Sequence, residues 1–158
     1  MATIKSLTGA GWLKDADDNF QSLKSLAGLH VTPFVFDTAA KDATSPTPVS
    51  NKTVAAHPLA VTIPDNAIVI GGHVDVITAV TSATNDATVA ISLVAANDVL
   101  TSTEGAEANL TLAAQIPMAA LKAAPIKLAA AKAVTVTVGT AALTAGKING
   151  YIIWIEGE

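Results

Sequence analysis

The chain contains no cysteine and no arginine, and its aromatic residues are few: three Phe, two Trp and one Tyr among 158 residues. Without cysteine there is no disulfide framework, no zinc-thiolate site and no cysteine nucleophile. All nine cationic side chains are lysines, and the formal net charge is -4, so no broad basic face can track a phosphate backbone. The lysines are scattered and the aromatics scarce, which also argues against nucleic acid as a partner. Charged residues make up only 14% of the chain. Long apolar runs are missing too. No uncharged stretch is longer than Ala133 to Gly146, short of the roughly 20 apolar residues a spanning helix needs, so no membrane partner is expected. The first residues, Met-Ala-Thr-Ile-Lys-Ser-Leu, lack the apolar centre of a secretory signal.

What is present is apolar content, at 51% hydrophobic residues, in a chain long enough to bury one core without staples. Near the start the period is helical. Trp12, Ala16, Phe20, Leu23 and Ala27 recur at spacings of four and three, with Lys14, Asp17, Asp18, Gln21 and Lys24 elsewhere on the wheel. Lys14 to Leu26 therefore reads as a short helical arm with Gly28 as its stop. Such a helix is marginal alone in water, so its stripe has to rest on the main domain or on a partner.

From Leu29 the signal changes to strands. Leu29 to Asp37 is rich in β-branched and aromatic residues, and Asp42 to Asn51 is a proline-containing loop. Leu59 to Ile63 reads as a strand ended by Pro64-Asp65-Asn66, and Ala67 to Val80 as a long strand with a bulge or bend at Gly71-Gly72. Beyond that bend His73 and Asp75 share one face while Val74 and Val76 share the other. Thr81 to Asp86 reads as a hairpin-type loop, Thr88 to Val94 as a strand, and Asn97 to Asn109 as a polar segment turning at Glu104-Gly105.

Ala133 to Val138 alternates cleanly, Val134, Val136 and Val138 inward and Thr135 and Thr137 outward; Thr144-Ala145-Gly146 reads as a turn, and Lys147 to Ile155 as a last strand. There Ile152 and Trp154 point one way and Tyr151, Ile153 and Ile155 the other, so that strand is central or meets a neighbouring subunit. Met118 to Lys132 is rich in helix formers, but Pro117 and Pro125 interrupt it, and Pro125 to Leu128 is taken as strand. Short strands separated by turn signals predict an all-β, antiparallel, jelly-roll-like sandwich over residues 29–158, behind an arm of residues 1–28.

Tests for chemistry come back empty. Asp15, Asp17 and Asn19 have the spacing of a calcium loop, but Phe20 replaces the required Gly and Leu26 the bidentate Glu. Gly139 to Lys147 ends in Gly-Lys, yet six residues separate its glycines instead of four, and Ile148 stands where Ser or Thr must hold magnesium. His30, His57 and His73 are far apart in the chain. His73 and Asp75 share a strand face, which on a sandwich usually means surface hydrogen bonding rather than a ligand pair. No Gly-x-Ser-x-Gly elbow occurs. The expectation is no enzyme, no metal and no cofactor.

Several segments together carry a resemblance. Ile63-Pro64-Asp65-Asn66-Ala67 leads into Val74-Asp75-Val76 and Thr81-Ser82-Ala83-Thr84; then follow Lys132 to Val138, Leu143-Thr144-Ala145-Gly146-Lys147, and Tyr151 to Glu156. This order resembles a group of small virion proteins of tailed bacteriophages, the jelly-roll or sandwich head proteins that act as capsid decoration (cement) proteins. It spans about Pro58 to Glu158 and does not include the arm. The resemblance implies a structural protein on the capsid exterior, bound to the major capsid protein and self-associated, as a homotrimer. Trp12, Phe20 and Leu23 of the arm, with Trp154, are the residues expected at a capsid or subunit interface. The arm's stripe serves equally to pack on its own sandwich. The alternative is another virion module, a head fibre, tail or receptor-binding sandwich. A lectin-like jelly roll would use His73 and Asp75.

Overall fold

A computed structural model describes residues 28–41, 49–118 and 124–157. The expected arm, with Trp12, Phe20 and Leu23, lies outside the described residues, as does most of the loop expected between Asp42 and Asn51.

Among the described residues eight strands follow in order: β1 Leu29–Asp37, β2 Ala56–Ile63, β3 Ala67–Ser82, β4 Thr88–Ser92, β5 Gln115–Pro117, β6 Ile126–Lys127, β7 Lys132–Gly139 and β8 Leu143–Glu156, with a 3-10 turn at Glu107–Asn109 between β4 and β5. One sheet runs β1-β8-β3-β5, with β6 also paired to β3; the other runs β2-β7-β4. All these pairings are antiparallel. Except at the step from β5 to β6, successive strands alternate between the sheets, the double Greek-key wrap of a jelly roll. Single bridges from Thr88 to Ala106 and from Ile91 to Leu100 lay the following segment along the free edge of β4.

The alternating pattern places the core. Val134, Val136 and Val138 of β7 and Val89 and Ile91 of β4 face Phe34 and Phe36 of β1, Val74 and Val76 of β3, and Ile148 and Ile152 of β8, all buried in one cluster. β8 lies between β1 and β3, so the expectation of a central last strand holds. The register of β3 against β8 shifts between Val69 and Gly71, which is the bulge expected at Gly71-Gly72. At Gly72 an added Cβ would collide with the Tyr151 carbonyl and the Met118 sulfur.

Three local readings change. Thr81 to Asp86 does not close a hairpin, because β3 pairs with β8 and β4 with β7; the segment carries the chain from one sheet to the other. Thr144-Ala145-Gly146 is not a turn but the first part of β8. Gly146, at φ 151, sits where the β3 register slips between Thr78 and Thr81, and its missing side chain lets β8 pass Val80. The chain reverses earlier instead, with Thr140 at φ 63. The strand expected at Leu59 begins three residues sooner, at Ala56. β6 falls within the Pro125 to Leu128 strand reading.

Candidate functional site

The residues singled out for chemistry are engaged with separate neighbours. The His73 ring stacks on Tyr151 of β8 with centroids 4.9 Å apart, while Asp75 accepts a hydrogen bond from Gln115 Nε2 at 3.0 Å. His57 is fully buried on the inner face, tilted against Phe36, and its Nε2 donates to the Thr53 carbonyl at 3.0 Å. His30 stacks on Trp154 at 4.1 Å and reaches Glu156 at 3.4 Å. Among the described residues no group of three His, Asp or Glu side chains gathers around a cation-sized space.

Trp154 belongs to the chain's own core. It is 9% exposed, and its indole N–H donates to Thr32 Oγ1 at 2.9 Å.

The best-built polar cluster is structural. Glu107 opens the 3-10 turn, and its carboxylate accepts from Ser82 N at 2.8 Å, Ser82 Oγ at 2.6 Å and Ala87 N at 3.1 Å. It thereby ties down both ends of the crossing from β3 to β4. Burial pushes this carboxyl up, but the three hydrogen bonds to its charged form outweigh burial and leave it below the ordinary glutamate range. Asp98 works similarly on the next loop, accepting from the N–H groups of Leu93, Val94 and Ala95, each at 2.8 Å.

The feature with the character of a recognition surface is apolar. On the outer face of the larger sheet, Leu29, Val31 and Val35 of β1 stand opposite Ile155, Ile153 and Asn149 of β8, with Tyr151 between the last two. Leu29, Val31 and Val35 are 46%, 55% and 52% exposed, and the β8 residues are half-buried. At one end of this strip Lys147 pairs with Asp37 at 3.2 Å, and across β8 the face continues onto His73 and Asp75 of β3. The Ala39 N–H holds the Asp37 carboxyl below the usual aspartate range; slight burial opposes this and Lys147 reinforces it.

Across β1 the surface continues into a groove between the two sheets, about 470 Å³ in volume. Its walls include Pro33, Phe34, Val35, Asn51, Leu59 and Val61. Asn51 is buried and donates from Nδ2 to the Asp37 carbonyl at 3.0 Å, but its Oδ1 has no partner among the described residues. That both faces of β8 are apolar is legible in the sequence. The matching residues of β1 come only from the register, their outward alternation being the one signal in the sequence.

No protein-family model and no curated protein sequence matches the chain. Solved structures do. The fold is similar to a chain in the acid-stable capsid structure of Helicobacter pylori bacteriophage KHP30, at 14% identity and a TM-score of 0.54, over 82% of this chain and 89% of that one. It is similar to a chain of the cyanophage Pam1 capsid asymmetric unit, at 16% identity and a TM-score of 0.51, over 81% and 84%. The third likeness is to a chain in the capsid of Ralstonia phage GP4, at 16% identity and a TM-score of 0.51, over 82% and 86%. At these identities what is shared is the fold: the same all-β sandwich occurs in chains of three phage capsids.

Proposed function

We propose that this chain is a structural, non-enzymatic protein of a tailed-phage virion, a decoration (cement) protein bound to the lattice of the major capsid protein on the capsid exterior. The observation that carries this reading is the fold it shares, over more than four-fifths of its length, with chains of three phage capsids. A rigid sandwich suits work done by area. Contacts spread over several capsid subunits remove apolar surface from water at about 25 cal/mol per Å², less the cost of association. Binding only the assembled lattice then stabilises it by mass action. The same reading has the protein self-associated as a homotrimer, the arrangement that matches a three-fold position of a shell.

The test mixes purified protein with phage heads that lack it. The expected result is co-sedimentation and a higher temperature of DNA release. Protein left in the supernatant, with an unchanged release temperature, overturns the proposal and favours a tail, fibre or glycan-binding module.

A further inference from the structure

We propose that the N-terminal segment of this chain, Trp12 to Ala27, lies as a helix along the outer face of β1 and β8 and covers the aliphatic strip there. The inference goes beyond the capsid reading and does not depend on it.

The first observation is where the segment joins the sandwich. Its apolar period of Trp12, Ala16, Phe20, Leu23 and Ala27 ends directly before Gly28, and Gly28 leads straight into β1. Leu29, the next residue, is itself the first of the strip and is 46% exposed. Only Ala27 and Gly28 separate Leu26 from Leu29, the length of a short helix-to-strand connection, which folds a helix back over its own sheet. The smaller sheet closes the inner face, so the outer face is the one that receives it. The second observation is the backbone of Gly28. It stands at φ 57, the left-handed conformation that glycine takes just past the end of a helix, where the chain reverses. The sequence marks Gly28 as the helix stop, and the structure gives it the conformation of one.

The third observation is size. A helix from Lys14 to Leu26 is about 20 Å long and about 10 Å across. The strip runs about 20 Å from Leu29 to Val35, and β1 with β8 is about 10 Å wide. Beyond β8 the face turns polar at His73 and Asp75, so its apolar part is one helix wide. Counted back from Ala27, Leu23 comes level with Val31 and Ile153, and Phe20 approaches Pro33 and Tyr151. The area also selects the occupant. Roughly 200 Å² is far below the about 800 Å² that a separate partner takes from each side. A segment already tethered at Leu29 meets the strip at high effective concentration and needs no such area. In return, a helix that is marginal alone in water gains the surface its stripe requires.

Because the chain has no cysteine, single thiols test the cover. Val31→Cys sits in the strip, Leu112→Cys on an exposed turn and Val136→Cys in the core. Each is made in the full chain, with the segment unaltered and with Phe20→Asp and Leu23→Asp together. With the segment unaltered, Val31→Cys should react with a thiol reagent an order of magnitude more slowly than Leu112→Cys, at every protein concentration. The two aspartates should raise its rate to that of Leu112→Cys while Val136→Cys stays unreactive, which shows the sandwich intact. If Val136→Cys opens as well, the same three thiols are read with the milder Phe20→Ala, where a faster Val31→Cys alone supports the proposal. A Val31→Cys that matches Leu112→Cys from the start overturns it, because the strip is then open. Protection that fades on dilution also overturns it and assigns the strip to a second copy. So does protection that no change in the segment moves. Each of these outcomes leaves binding to phage heads, measured separately, to stand or fall by itself.

Discussion

Glu107 is the only buried carboxylate among the described residues, and its worth lies in what it leaves satisfied. Its three hydrogen bonds close the N–H groups of Ser82 and Ala87 and the Ser82 hydroxyl, on the two sides of a connection that changes sheets. Replacing it with Gln keeps the shape but turns a donor toward donors. Glu107→Gln should therefore destabilise the fold by about 1–3 kcal/mol, read from urea unfolding at neutral pH. The pH dependence has a definite sign. The folded-state value is depressed, so the stabilisation is fully present above the ordinary glutamate value of about 4.3 and is lost as pH falls through the lower folded value. The variant and the unaltered chain should converge in stability under acid. A gap that stays constant into acid would assign the loss to packing rather than to charge. None of this was legible beforehand: Glu107 lies in a polar stretch whose only sequence signal was a turn at Glu104-Gly105.

At the scale of elements, alternation did most of the work. Val134, Val136 and Val138 were placed inward by period alone, and all three are buried. The bulge at Gly71-Gly72 was legible because paired glycines in an otherwise β-branched run have few other uses. Gly146 misled for the same reason: a glycine after Thr-Ala reads as a turn, yet here it relieves a close passage inside a strand. Partner choice was illegible, since hairpin and Greek-key connections carry the same local residues. Gly150 shows what pairing adds. It stands opposite Phe34 in the β1-β8 register, and an added Cβ would fall inside the Phe34 ring. Gly150→Ala should cost about 1–3 kcal/mol through overpacking, measured by thermal or urea unfolding. A neutral result would mean that the Phe34 ring can move aside.

At the scale of the molecule, the strip on the outer face and the wrap of the chain have different origins. The strip was half legible, since Ile153 and Ile155 were seen to oppose Ile152 and Trp154, but only the register joins them to Val31 and Leu29. The wrap gives β8 an unusual position in time. It separates β1 from β3 in the finished sheet, yet it leaves the ribosome after every other strand. Until Leu143–Glu156 emerges, β1 and β3 have no common neighbour, and Phe34 and Phe36 are not joined to Val74 and Val76 in one sheet. Synthesis thus produces a nascent chain with two open edges and apolar side chains in water, the state that chaperones hold and that aggregates when released early. Chains stalled before Leu143 should be degraded by protease throughout, whereas chains stalled with β8 clear of the exit tunnel should resist it. The keystone of this sandwich is added last, and until then β1 and β3 are not joined.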